Sequence, residues 1–581
     1  MALMLGNEAV ARGLVEADCS FVSSYPGTPS TEITEIAAKS LYAEWAPNEK
    51  VAAEAAFGAS MSGARAFSAM KHVGLNVAAD PLFTSSYTGV GGGLVICVAD
   101  DPGMHSSQNE QDSRHYAEAA KLPMLEPSDS EECRDFTKLA FKLSERFDTP
   151  VLLRLTTRVS HSRSNVTEEE PIAFERWNYV KNPAKFVMVP NNARTRHTEV
   201  EKRMIKLGDY CETAAINKLE PGKKHKIGVI AAGITYQTAR EALGNDASYL
   251  KLGMVYPLPV EPIKKLANEV EELWVLEELD DFIETHCKKH GIKVRGKSNF
   301  SPLGEYTAEN IRKVILGIDN CQLSIVNCQL PEVTPALPAR PPAMCPGCPH
   351  RGVFYVLNKL KLTVFGDIGC YTLGASPPLS AMDMTLCMGA SVSALHGFLK
   401  ADPSYAGKTV GVIGDSTFMH SGLTGLLNAV YNNTPSTLII LDNSITGMTG
   451  HQQNPATGRT LTGAFAPSLD LEVVCHALGV DMVDIVDPGD PAAAEKLIKK
   501  HLSANAPSVI IAQSPCVLLP GVKSKPPLKV EACRDCKACT RIGCPAISFG
   551  KGGAEIDASL CVGCGLCVKL CKFDCIRGCR T

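Results

Sequence analysis

The chain has 581 residues and a mass of 62.2 kDa, which at roughly 150 residues per domain predicts about four domains. Its 58 Lys+Arg against 62 Asp+Glu leave a formal charge of −4, which argues against a nucleic-acid-binding protein, since such chains carry a basic excess. Hydrophobic residues make up 45% and charged residues 21%, an ordinary globular balance. No apolar run reaches the ~18 residues of a membrane span, so no membrane association is expected. The first residues lack the basic and apolar regions of a signal peptide, and a cytoplasmic protein is expected.

In chain order, residues 1–170 alternate small-residue helical stretches, such as Val51–Ser60, with short apolar strands at Leu94–Val98 and Val151–Leu155. The Gly89-x-Gly-Gly-Gly93 run precedes a strand instead of opening a helix, so it is not a dinucleotide fingerprint. Asp100–Asp112 follows a strand and is crowded with polar groups. Residues 170–225 read as a polar connector. A new α/β unit starts at Lys226–Gly233, with a second buried strand at Leu273–Leu276. A Pro-rich stretch, Leu330–Pro342, predicts an extended linker. Beyond it, Thr409–Ile413 and Thr437–Leu441 read as parallel core strands. A second Pro-rich linker at Leu519–Leu528 precedes a cysteine-dense tail.

Of 23 cysteines, ten lie between Cys533 and Cys579. In a reducing cytoplasm such a cluster reads as metal ligands, not disulfides. The spacing is Cys533-x2-Cys536-x2-Cys539-x4-Cys544-Pro545, then Cys561-x2-Cys564-x2-Cys567-x3-Cys571. It resembles the bacterial two-cluster ferredoxin run, in which the fourth cysteine of each run ligates the other cluster. That resemblance implies one [4Fe-4S] cluster on Cys533, Cys536, Cys539 and Cys571, and a second on Cys544, Cys561, Cys564 and Cys567. Two features depart from the pattern: x4 before Cys544, and Lys572 where proline is usual. Cys575 and Cys579 are surplus and stand as alternative ligands. A double zinc ribbon is the competing reading, but three cysteines per x2-x2 run suit cubes better.

Gly414-Asp415-Ser416 follows one predicted strand and Asp442-Asn443-Ser444 the next. In a parallel sheet both turns sit at the carboxyl ends of neighbouring strands, where ligands bind. One carboxylate with an amide oxygen suits Mg²⁺ holding a diphosphate. The pair resembles the thiamine diphosphate motif, with Ser416 in place of its last glycine. The Gly-rich loop Thr446–Pro455 suits a cofactor. Thiamine chemistry also needs a carboxylate at N1′ of the aminopyrimidine. Glu54 is the candidate, among Ala and Gly residues that would let a helix approach a flat ring, in an apolar setting.

Ser24-Tyr-Pro-Gly-Thr-Pro-Ser-Thr31 resembles the YP-x-TPS signature of the 2-oxoacid:ferredoxin oxidoreductases, and Cys345-Pro-Gly-Cys-Pro-His-Arg351 resembles the CPGCGH opening of their diphosphate domain. The resemblance covers essentially the whole chain. The order of its parts is similar to the larger subunit of the arylpyruvate-oxidising members. It implies an α/β fold with two doubly wound, parallel-sheet thiamine diphosphate-binding domains: the pyrimidine type at 1–175 and the diphosphate/Mg type at 344–518. A transketolase C-terminal-like α/β domain at 176–329 and a two-[4Fe-4S] ferredoxin-like domain at 531–581 complete it, with linkers at 330–343 and 519–530.

The resemblance further implies Thr28 near the substrate carboxylate, Glu54 as the activating glutamate, and Mg²⁺ held by Asp415, Asn443 and the Ile445 carbonyl. A proximal [4Fe-4S] cluster is implied on Cys345, Cys348, Cys370 and Cys516. His105 and Gln108 are read as hydrogen-bond donors at the substrate end. Implied partners are a smaller β subunit in an (αβ)₂ assembly, coenzyme A as co-substrate and ferredoxin as acceptor. The implied substrates are indolepyruvate, phenylpyruvate and 4-hydroxyphenylpyruvate. A non-oxidative decarboxylase is the second reading, though it needs no ferredoxin module. An electron-transfer adaptor with a degenerate thiamine fold is the third.

Overall fold

The computed structural model describes residues 1–317 and 342–578. Most of the Pro-rich stretch Leu330–Pro342, and Cys579, lie outside the described residues. The chain divides into two compact units, 1–329 and 330–581.

The first unit is built on a seven-stranded sheet. Its order is Met254–Tyr256, Met124–Leu125, Val151–Thr156, Leu94–Asp100, Ala66–Lys71, Phe21–Ser24 and Ala43–Trp45. All neighbours run parallel except Met254–Tyr256, which pairs antiparallel with Met124–Leu125. Central strands such as Leu94–Asp100 are buried along their whole length, as expected when helices cover both faces. A second, four-stranded sheet orders Glu272–Leu276, Ile227–Ala232, Ser248–Leu252 and Lys218–Glu220. Strand Met254–Tyr256 leaves that α/β part and joins the first sheet, and one apolar core runs through both, from Ile96, Val98 and Leu152 to Ile230, Leu252 and Val275.

Ion pairs seal the same junction. Arg114 donates to Glu277 at 2.6 Å, and Arg154 donates to Asp100 at 2.7 Å and Glu126 at 2.6 Å, all of them buried. Beside them Glu278 is pushed up to about 7 by burial.

The polar connector expected at 170–225 has regular structure. It carries a 23-residue helix, Pro190–Glu212. Its buried face is only Val200, Arg203, Leu207 and Cys211. Arg203 donates to the Ser86 carbonyl at 2.8 Å and to Thr149 at 3.2 Å. An arginine inside a three-apolar stripe weakened the periodic signal that marks an amphipathic helix.

The second unit holds a five-stranded parallel sheet, ordered Thr363–Phe365, Thr409–Gly414, Thr437–Asp442, Ser508–Gln513 and Met482–Val486. Ile439, Leu441 and Ile510 face one core, and Leu438, Ile440 and Val509 face the other. The chain ends in two antiparallel ladders, Leu528–Val530 with Ile576–Gly578 and Ile547–Gly550 with Gly553–Ile556. Their small core includes Cys539 and Cys567 beside Ile542, Leu566 and Ile576. Among the described residues no helix is long and apolar enough to cross a membrane.

Candidate active site and iron–sulfur relay

In the second unit, the parallel register pairs Gly414 with Leu441. Asp415 and Asn443 therefore leave the carboxyl ends of adjacent strands. Gly414 has no room for a side chain, since a Cβ there would sit 2.7 Å from the Tyr371 ring. Asp415 is 3% exposed and accepts a hydrogen bond from Asn454 at 3.2 Å. Burial, then the nearby Asp442, pushes Asp415 up to about 7, a cost to the ionised form on the order of 4 kcal/mol. Among the described residues no basic side chain pairs with either carboxylate. A buried acid with a second carboxylate beside it and no counter-ion is the donor set a divalent cation relieves, so these residues fit Mg²⁺. Asn443 accepts from the Ile445 N–H at 3.3 Å. Thr446 exchanges two backbone hydrogen bonds with Gln452 at 3.0 and 3.1 Å, closing the Gly-rich loop, and donates its hydroxyl to Ser416 at 2.9 Å.

The loop Gly366–Cys370 packs on the same turn, where Thr417 donates to the Ile368 carbonyl at 3.0 Å. Asp367, which carries no motif signal, is fully buried and accepts from the N–H groups of Ile368, Gly389 and Ser391 at 2.8, 3.0 and 3.0 Å. It fixes the loop that presents Cys370. A Cβ on Gly447 would lie 3.6 Å from both the Asn443 amide and the Cys370 Sγ. Cys348 lies within charge range of Cys345 and Cys370, Cys370 of Cys345 and Cys516, and Cys516 of Cys345. Cys345 is thus near each of the other three cysteines expected for a proximal cluster.

The tail cysteines form two further groups. Cys539 is within charge range of Cys533, Cys536 and Cys571, while Cys564 and Cys567 both face Cys544 and Cys561. Backbone amides point at these sulfurs: Ala554 N–H to Cys533 at 3.3 Å, Leu528 N–H to Cys561 at 3.5 Å and Cys575 N–H to Cys571 at 3.3 Å. Amide donors of this kind stabilise thiolate and tune clusters. Burial opposes the Cys571 thiolate, but the amides of Phe573, Cys575 and Ile576 outweigh it and its pKa is lowered. The surplus Cys575 gives its own S–H to the Ala532 carbonyl at 3.1 Å. The two tail groups, each with N–H···S donors, fit iron–sulfur cubes.

In the first unit the expected site residues are distributed differently. The Thr28–Pro29 peptide bond is cis, and Ser106 donates to the Thr28 carbonyl at 3.4 Å. The Tyr25–Ser30 turn and the Asp100–Asp112 loop thus meet. His105 sits 3.2 Å from Glu305, which is itself forked by Arg158 at 2.8 and 2.6 Å. Gln108 is exposed.

The apolar setting expected for Glu54 is absent within this unit. Helix Glu49–Met61 buries the stripe Glu49, Ala52, Ala53, Ala56 and Ser60. Position 54 falls off that stripe, is exposed and pairs with Lys50. The glycine run below the helix is structural, since a Cβ on Gly91 or Gly92 would strike the Ser60 or Ala64 carbonyl at 2.3 or 2.2 Å.

Sequence reasoning missed Lys71. It ends a fully buried parallel strand, Ala66–Lys71, and donates to the Ser106 carbonyl at 2.6 Å. Burial pulls it down to about 8, with Asp101 opposing. A lone lysine closing an apolar strand at the ligand-binding edge was the available signal.

Comparison with known families agrees with this organisation. Residues 12–225 match the family described as pyruvate flavodoxin/ferredoxin oxidoreductase, thiamine diP-bdg. Residues 367–512 match the C-terminal thiamine pyrophosphate-binding domain of thiamine pyrophosphate enzymes, and residues 554–577 a 4Fe-4S binding domain. A solved 2-oxoglutarate:ferredoxin oxidoreductase from Magnetococcus marinus aligns over 53% of this chain and 64% of its own, at 18% identity and a TM-score of 0.46. The fold and site therefore define a thiamine diphosphate-binding, iron–sulfur 2-oxoacid:ferredoxin oxidoreductase. Indolepyruvate oxidoreductase subunit IorA of Archaeoglobus fulgidus is 39% identical over 100% of this chain and 97% of its own length. That of Thermococcus kodakarensis is 39% identical over 98% and 96%. The chain belongs to the indolepyruvate oxidoreductase subunit IorA family.

Proposed function

We propose that the chain carries out oxidative decarboxylation of arylpyruvates (indolepyruvate, phenylpyruvate and 4-hydroxyphenylpyruvate). One 2-oxo acid, one coenzyme A and two oxidised ferredoxins give one aryl-acetyl-CoA, one carbon dioxide, one proton and two reduced ferredoxins. Bound thiamine diphosphate supplies the electron sink for loss of carbon dioxide. Asp415, Asn443 and the Ile445 carbonyl would hold Mg²⁺, which would neutralise the charge of the diphosphate. Glu54 holds a proton toward the aminopyrimidine N1′. Thr28 and Lys71 bind the substrate carboxylate, and the loop of His105 and Gln108 bounds the substrate end.

The observation that supports this reading is the position of Gly447, where a Cβ would lie 3.6 Å from both the Asn443 amide and the Cys370 Sγ. Electrons released beside the diphosphate residues have cysteines at hand, in a proximal [4Fe-4S] cluster on Cys345, Cys348, Cys370 and Cys516. Two further clusters follow, on Cys533, Cys536, Cys539 and Cys571 and on Cys544, Cys561, Cys564 and Cys567. The subunit names of the relatives support a second subunit, and we propose that it is smaller and completes an (αβ)₂ assembly. Its compartment in this reading is the cytoplasm, where thiols at metal-ligand spacing stay reduced.

The test is anaerobic viologen reduction by the chain with its partner subunit, given indolepyruvate, thiamine diphosphate and Mg²⁺, with and without coenzyme A. Coenzyme A-dependent reduction is expected. Carbon dioxide release without dye reduction would replace this reading with a decarboxylase. No turnover on any aryl or alkyl 2-oxo acid would leave an electron-transfer adaptor.

A further inference from the structure

Arg351 is the second residue of helix His350–Leu360, just after the Cys345–Cys348 loop, and is 2% exposed. Its guanidinium donates from Nε to the Cys345 carbonyl at 3.2 Å, and from Nη1 to the Ile542 and Gly543 carbonyls at 2.9 and 2.6 Å. Nη2 donates to the Met344 carbonyl. Every acceptor is a neutral carbonyl. Among the described residues no carboxylate pairs with it. A buried cation without a counter-charge costs several kcal/mol, a cost that an anion close by would offset.

The acidic groups that act on it most strongly are four thiols: Cys544, Cys348, Cys345 and Cys564. Two belong to the proximal group and two to the second tail group. The backbone draws these groups together at the same place. A Cβ on Gly347 would lie 2.3 Å from the Val562 Cγ2 and 3.6 Å from the Cys564 Cβ. The Cys345–Cys348 loop therefore presses directly on the Cys561–Cys564 loop. A four-thiolate cube is anionic and gains one further negative charge on reduction, so a fixed cation favours the reduced form of whichever cubes it faces.

We propose that Arg351 is a positioning residue for electron transfer: its buried charge lies between the proximal and second tail clusters and raises the reduction potentials of both. One electron then passes from the reduced proximal cluster, which is oxidised, to the oxidised tail cluster, which is reduced, with Arg351 offsetting the added charge on either side. The inference rests on the three-cluster reading above.

The test compares wild-type holoenzyme with Arg351→Lys and Arg351→Gln, each reconstituted with the partner subunit. Iron and sulfide are counted, and the clusters are titrated redox-potentiometrically under electron paramagnetic resonance. Gln is expected to make both neighbouring clusters harder to reduce by on the order of tenfold, about 59 mV for a one-electron couple. Lys, which keeps the charge and loses the fork, is expected to stay near wild type. Full iron with unchanged potentials in Gln overturns the proposal while leaving three clusters in place. Loss of a cluster in Gln but not in Lys supports it, because charge is then what the cluster needs. Loss in both overturns it in favour of a purely structural pin. A wild-type enzyme holding only two clusters overturns the three-cluster reading itself, and the proposal with it.

Discussion

Gly347 and Val562 touch so closely that a Cβ on the glycine would lie 2.3 Å from the valine Cγ2, and Gly347 has φ +73°. Gly347→Ala therefore meets both steric overlap and backbone strain, together roughly 1–3 kcal/mol. The Cys345–Cys348 loop must shift away from the Cys561–Cys564 loop. Dye reduction at least tenfold slower is expected, with the tail clusters retained by iron count. Wild-type turnover would show that this contact is dispensable.

Asp415→Ala removes the carboxylate that a cation would neutralise. Calorimetric titration with thiamine diphosphate and Mg²⁺ is expected to show binding weakened by two orders of magnitude or more. Retained affinity would move the diphosphate site elsewhere.

Glu54 faces solvent within its unit and pairs with Lys50, so Glu54→Gln leaves the helix stripe intact. Turnover is expected to fall by about 10²–10⁴, the usual worth of a proton-transfer group, with cofactor affinity and iron content unchanged. Undiminished turnover would remove Glu54 from the mechanism.

Lys71→Met deletes a buried ammonium that donates to Ser106, which in turn donates to the Thr28 carbonyl. A charge-assisted hydrogen bond is worth about 1.5–3 kcal/mol. The KM for the 2-oxo acid is expected to rise roughly 10- to 100-fold, with a smaller change in kcat. A loss confined to kcat would mean that Lys71 does not bind the substrate.

Glu278 keeps its proton up to about 7 in the folded chain, against an ordinary value of 4.5. The folded state binds more protons than the unfolded one across that window. Its stability contribution therefore falls as pH rises from about 4.5 to about 7 and is level above that. Glu278→Gln keeps an acceptor for the Tyr306 N–H, which lies 3.0 Å from the native carboxyl. It is expected to gain roughly 1–3 kcal/mol at pH 8 and little at pH 4, read as the apparent melting temperature at each pH. Equal shifts at both pH values would show that the carboxyl is not the source.

The α/β class, the strands at Leu94, Val151, Thr409 and Thr437, and the cysteine-dense tail were legible in the residues alone. Continuous apolar runs bounded by turn residues, and cysteines at fixed short spacing, are local signals. Local reading also put Asp415 and Asn443 after successive strands, because parallel strands one crossover apart present their ends on the same edge. It failed at helix Pro190–Glu212, whose narrow stripe includes a buried arginine satisfied by the distant Ser86 carbonyl and Thr149.

Only the tertiary structure decided which side of its helix Glu54 occupies, that strand Met254–Tyr256 completes the sheet of the preceding part, and that Lys71 meets the Ser106 loop. It alone set Arg351 among cysteines nearly two hundred positions apart. Each of these depends on contacts between segments remote in sequence, and burial and charge environment are properties of such contacts, not of residue type or spacing.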